Sequence, residues 1–100
     1  MTANLFVEVK IAAQPRIRSL VQELLPRGRQ SGNYWVARNP TRDDRKAGSF
    51  KISLQTGSWA EYATGEQGDL IALYGYLFGM QPLAAAKHIA NRIGMAANDN

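Results

Sequence analysis

Apolar residues recur at helical spacing near the start of the chain: Leu5, Phe6, Val9, Ala12 and Ala13, then Ile17, Leu20, Val21, Leu24 and Leu25. A period near 3.6 predicts helix. Pro15 interrupts it, and is expected either to kink one helix or to sit in the first turn of a second, over Pro15–Leu25. Gln14, before the proline, is biased away from helical geometry. Pro26 and Gly28 end this segment. Val7–Ile11 is β-branched enough to read as an edge strand too, and the sequence leaves both readings open.

Arg27–Gly32 reads as a basic polar loop and Asn33–Arg38, rich in aromatic and β-branched residues, as a strand. Asn39–Gly48 carries Pro, Asp and Gly and reads as loop. Two strand-like runs, Ser49–Leu54 and Ser58–Ala63, meet across Gln55-Thr56-Gly57, where the glycine suits a left-handed turn position. Phe50, Ile52 and Leu54 alternate with Lys51 and Ser53; in Trp59–Ala63 the alternation fades and either face can be inward. Thr64–Gly68 reads as a turn, and Asp69 as the cap of a helix striped by Leu70, Ile71, Leu73, Tyr74, Leu77 and Phe78. Gly79 stops it. Pro82 starts another helix, buried through Leu83, Ala86, Ile89, Ala90 and Ile93 and stopped at Gly94. The pattern is α+β: N-terminal helix or helices, a small antiparallel sheet of about three strands, then two C-terminal helices.

The 100 residues suffice for one domain, placed at 1–94 with 95–100 as a flexible tail. Cysteine is absent, which excludes disulfides, thiol catalysis and thiolate metal sites. The apolar runs are too short to span a bilayer and no secretion signal is evident, so a cytoplasmic location is expected. Charge changes the picture more. Arg27 to Lys51 holds seven basic residues and two acids, a net +5, while the remainder of the chain is at −1. A basic middle suits a polyanion, most often nucleic acid.

The same region interleaves rings with cations: Tyr34, Trp35, Arg38, Arg42, Arg45, Lys46, Lys51, Trp59 and Tyr62. Rings stack on unpaired bases while Arg and Lys hold phosphates, the combination used by single-strand binders. A small sheet also needs large side chains inside, so at least one tryptophan is expected to be buried. His88 is the one histidine and lies beside Lys87 on the polar side of the last helix, which leaves zinc without a ligand set. Asp43-Asp44 reads as a solvated acidic turn between Arg42 and Arg45 rather than a magnesium site. Thr64–Asp69 lacks the Gly-Lys-Ser/Thr ending of a phosphate-binding loop. No catalytic acid–base pair or nucleophile set is visible, and no cofactor is expected.

From Gly32 to about Gly94 the chain resembles the N-terminal zinc-ribbon domain of bacterial DNA primases, and more closely its cysteine-free relatives in plasmid and phage primase or Toprim-type proteins. The residues carrying the resemblance are Tyr34-Trp35, Asn39-Pro40-Thr41-Arg42, Ser49-Phe50, Trp59, Glu61-Tyr62-Ala63-Thr64, Gly68-Asp69 and Leu70-Ile71-Ala72-Leu73. The resemblance implies that the family's four metal-ligand positions fall on Asn39, Arg42, Glu61 and Thr64, none of which is Cys or His. It implies a zinc-free ribbon in which these four residues replace the metal site and Arg42 pairs with Glu61. It also implies a non-enzymatic accessory domain that engages single-stranded DNA in a replication or primase system of a mobile element or phage. A primase, polymerase or helicase polypeptide is the expected protein partner. The alternative is an adaptor docking on a replication protein through its aromatic face; an aromatic patch outside the positive stripe favours the adaptor, and coincidence of the two favours nucleic acid.

Overall fold

The computed structural model describes residues 4–41 and 48–95. Helix α1 spans Leu5–Ala13, and the Asn4 side chain caps it by accepting the Phe6 amide at 2.8 Å. Val7–Ile11 is therefore helical. Val9 and Ala13, one turn apart, are fully buried, whereas Val7 and Ile11 face solvent at 49% and 69% exposure. Burial at 3.6-residue spacing outweighs the few tenths of a kcal/mol that a β-branched residue loses in a helix, roughly 0.5 kcal/mol at most. Pro15 lies in a single 3-10 turn, Gln14–Arg16, and α2 follows at Ile17–Leu24, two residues later than the proline alone suggests.

The sheet has five strands rather than about three: β1 Arg29–Ser31, β2 Tyr34–Ala37, β3 Phe50–Ser53, β4 Trp59–Glu61 and β5 Glu66–Gly68. They form an antiparallel meander in chain order. The expected hairpin joins β3 to β4, with Gly57 at φ 80°. The two additional strands fall where the sequence reads as loop and turn. β1 turns into β2 through Gly32-Asn33, with Gly32 at φ 61°, and β5 returns along β4 after a turn containing Gly65 at φ 83°. Helix α3 spans Leu70–Phe78 and α4 spans Pro82–Arg92. Asp69 caps α3 by accepting the Ala72 amide at 2.9 Å, and Gly79 closes it in the left-handed region.

Register places Trp35, Ile52 and Trp59 in one cross-strand row and Ala37, Phe50 and Glu61 in the next. This face joins Val9, Ile17, Leu20, Val21, Leu73, Tyr74 and Ile89 of the helices in one core. Leu83 does not belong to it: 49% exposed, it sits in the first turn of α4, and the buried stripe runs instead through Ala85, Ala86, Ile89 and Ala90. Phe78 is likewise 54% exposed at the end of α3.

Candidate nucleic-acid interface and the polar hub beneath it

Alternation along the strands sends a second set of side chains to the opposite face. Arg29, Val36, Lys51, Ala60 and Gln67 share one row across all five strands, and Tyr34 lies beside Ser31 and Ser53 in the next. Tyr34 and Tyr62 are 49% and 68% exposed. The Lys51 ammonium sits 5.7 Å from the Tyr62 ring centroid, within cation–π range and on the same face. No Asp or Glu occupies this face in the registered strands, since Glu61 and Glu66 pair on the other one.

Both tryptophans are withdrawn from the expected ring set. Trp35 is 8% and Trp59 5% exposed. Each indole N–H is spent on a backbone carbonyl: Trp35 Nε1 donates to Leu25 at 2.8 Å and Trp59 Nε1 to Asp69 at 3.0 Å. Trp59 also stacks on Tyr76 with centroids 4.8 Å apart and meets Phe50 edge-on at 5.8 Å. These are structural anchors whose rings offer no free face to a base. Of the remaining expected contacts, Arg38 is exposed just after β2, and Arg42, Arg45 and Lys46 lie outside the described residues, as do Asp43-Asp44. Arg29 is a basic residue of this face that sequence reading left out, because its segment reads as a loop and only strand register aligns it with Lys51.

Two of the four positions read as metal-site replacements come together. Asn39 and Glu61 are 1% and 0% exposed, and Asn39 Nδ2 donates to Glu61 Oε1 at 2.8 Å. The same nitrogen donates to the Tyr76 hydroxyl at 2.7 Å. Asn39 Oδ1 accepts from the Thr41 amide at 2.9 Å and the Thr41 hydroxyl at 2.7 Å. Thr41 and Tyr76 hydroxyls are 3.1 Å apart, so with the Thr41 proton on Asn39 the Tyr76 proton points to Thr41. Glu61 Oε2 accepts the Ala63 amide at 3.1 Å, and the Glu61 carbonyl accepts Gly65 at 2.8 Å. The hub thus ties the end of β2, the end of β4 and helix α3 together. Thr64 takes no side-chain part in it: its hydroxyl donates to Glu66 Oε1 at 2.9 Å on the surface. The expected Arg42–Glu61 pair falls outside the described residues. Tyr76 and Thr41 are hub members that sequence reading missed.

His88 lies against rings rather than in a polar setting, 5.5 Å from Tyr74 and 5.8 Å from Phe78 between centroids. Among the described residues no three His, Asp or Glu side chains cluster as a metal site requires. Nor is any helix there long and apolar enough to cross a membrane.

No family model matches the sequence, and no curated protein is significantly similar to it. The crystal structure of the Aquifex aeolicus primase, comprising its zinc-binding and RNA polymerase domains, superposes on 97% of this chain with a TM-score of 0.79. Sequence identity is 20%, and the match takes up 23% of that primase chain. The present chain thus spans about a quarter of the primase it matches, over the zinc-binding region. The protein is a cysteine-free chain with the fold of the primase zinc-binding domain.

Proposed function

We propose that the protein is a non-enzymatic accessory module of a primase or related replication system, carried by a mobile element or phage, that binds single-stranded DNA on the sheet face opposite its helices. The observation that carries this reading is the coincidence of exposed rings and cations on that face: Tyr34 and Tyr62 with Arg29 and Lys51. A docking surface for a polypeptide would be expected to separate its aromatic patch from the positive stripe, and here the two overlap. The fold shared with the primase zinc-binding region supports a place beside a priming enzyme rather than a catalytic role of its own. Arg38 extends the positive surface beyond β2, and Arg42, Arg45 and Lys46 remain in the contact set on charge alone.

Fluorescence anisotropy with labelled single-stranded and duplex oligonucleotides, titrated in salt, tests the reading. Single-stranded DNA is expected to bind more tightly than duplex and with little sequence preference. Affinity should fall with salt at a log–log slope of about −0.7 per phosphate contact. Arg29→Ala with Lys51→Ala should weaken binding and flatten the slope. Tyr34→Ala should weaken binding by about 1–3 kcal/mol at nearly unchanged slope. No binding at low salt, or equal affinity for duplex, overturns the proposal in favour of the protein adaptor.

A further inference from the structure

Next to this face lies a cleft of about 540 Å3, walled by Leu25, Pro26, Ala37 and Pro40 and flanked by Arg27 and Arg38. Small-molecule sites span about 300–1,000 Å3. The wall is held in shape from below. The Leu25 carbonyl accepts both the Gly28 amide at 3.0 Å and Trp35 Nε1 at 2.8 Å. Gly28 is seated so closely on the indole that a Cβ there would lie 2.2 Å from Trp35 Nε1, so no other residue fits without moving the ring. The turn Pro26–Gly28 is therefore pinned to the sheet rather than free to collapse into the cleft.

The charge of the cleft is uncommitted. Arg92 is held by Glu23 and Arg18 by Gln30, but Arg27 and Arg38 have no ion pair or hydrogen bond among the described residues. Among the described residues no carboxylate lines the cleft. An inorganic anion would leave the apolar wall unused, and an apolar molecule would leave the two guanidiniums unused. A nucleotide has both parts: a flat base with apolar faces, and a phosphate that the planar guanidinium fork matches. Position adds to this. Ala37 and Arg38 continue β2 directly from Val36, whose cross-strand neighbours are Arg29 and Lys51.

We propose that the cleft holds one nucleotide unit, its base against the exposed rings of Pro26 and Pro40, over a floor closed by the buried Leu25 and Ala37, and its phosphate between Arg27 and Arg38. The inference deepens the single-strand reading by naming where a base is received, and it takes the unit either from a strand or from a free nucleotide. The test follows the amide and indole cross-peaks of the 15N-labelled full chain during titration with dAMP, deoxyadenosine, inorganic phosphate or an oligo-dA strand. Expected are saturable dAMP shifts at Gly28 and the Trp35 indole, with deoxyadenosine and phosphate each about tenfold weaker or more. Arg27→Ala with Arg38→Ala, both exposed positions, should keep the dispersed spectrum and weaken dAMP about tenfold or more. Oligo-dA moving the same two peaks identifies a strand base as the occupant; a response to dAMP alone identifies a free nucleotide. The proposal is overturned if dAMP shifts only Lys51 and Tyr62, if the shifts stay linear in ligand, or if phosphate alone reproduces them. The broader reading fails separately, if oligo-dA leaves Lys51 and Tyr62 unmoved.

Discussion

Asn39→Ala is the substitution that most directly measures what the buried hub contributes. It removes Nδ2 donation to Glu61 and Tyr76 and takes away the acceptor of the Thr41 amide and hydroxyl. Asn39 and Glu61 are at or below 1% exposure, so water replaces these partners only if the loops open. A buried polar group left unsatisfied costs about 1–3 kcal/mol, and the groups affected are bonded to one another, so their losses overlap rather than add. The expected loss is about 2–4 kcal/mol. For a domain of this size that lowers the melting midpoint by about 10–25 °C. Urea denaturation gives the difference directly, with an unchanged m-value showing that both states keep their compactness. Tyr76→Phe removes one hydroxyl of the same network, and a double-mutant cycle with Asn39→Ala should show coupling of about 0.5–3 kcal/mol. Thr64→Ala is the control, since that hydroxyl bonds Glu66 at the surface and should change stability by under about 0.5 kcal/mol. An Asn39→Ala loss no larger than that of Thr64→Ala would refute the claim that Asn39 and Glu61 join the two loops.

Tyr74→Phe should leave stability unchanged or raise it by up to about 1 kcal/mol, because the buried Tyr74 hydroxyl has no hydrogen-bond partner among the described residues. Burial, aided by Glu23 and opposed by Arg92, pushes this phenol from its usual value of 10.0 up to about 12. Its folded form holds the proton more tightly, so wild-type stability is full below pH 10 and falls as pH rises toward 12; Tyr74→Phe should lose less over that window in alkaline melts. Burial pushes the Asp69 carboxyl up, but the Ala72 amide, Lys10 at 3.2 Å and its own amide together outweigh this and hold it below 3.8. That contribution is present above the usual carboxylate value and lost as pH falls through the lower folded one, and Asp69→Ala should cost about 0.5–2 kcal/mol at neutral pH and remove it. Thermal melts with and without a strong chelator should superimpose, and a lowered midpoint with chelator would show that a metal supports the fold.

The elements that bury an apolar face were legible in the sequence, and those that do not were missed. α2, α3, α4 and β3 each display a period matching their burial, apart from Phe78 at the end of α3 and Leu83 at the start of α4, while β4 was legible as a strand but not in its facing. β1 is exposed at all three residues, and β5 is exposed or half-buried throughout, so neither edge strand can show alternation. For β1 a local signal existed in Gly32-Asn33, a glycine-led two-residue hairpin loop. The placement of the tryptophans depended on register: Trp35 points inward with Ala37, and Trp59 with Glu61, only once β2, β3 and β4 are aligned. The meeting of Asn39 and Glu61 was suggested by family resemblance. Tyr76 was not, since a helix hydroxyl reaching a distant loop leaves no mark on local pattern, whereas Thr41 bonds Asn39 two residues away, a local contact that sequence reading passed over.

The hub also bears on how such a fold stands without thiolates. A structural zinc site contributes about 10–16 kcal/mol of apparent binding free energy at pH 7, whereas a network of neutral or singly charged hydrogen bonds contributes a few kcal/mol at most. The Asn39–Glu61 hydrogen bond joins two loops, but with far less energy than a zinc site would supply. Burial is the larger source of stability in this fold. The aromatic column Phe50–Trp59–Tyr76 is in a position to supply part of it, because Tyr76 packs its ring on Trp59 while its hydroxyl bonds Asn39. The helices supply more, since Val9, Ala13, Ile17, Leu20 and Val21 from the N-terminal segment all enter the same core as the sheet. Each apolar side chain so buried is worth about 1.5–3 kcal/mol. Two or three well-buried residues thus outweigh the hub, which fixes which loop ends meet: the ends of β2 and β4, on either side of the strand β3 that carries Lys51.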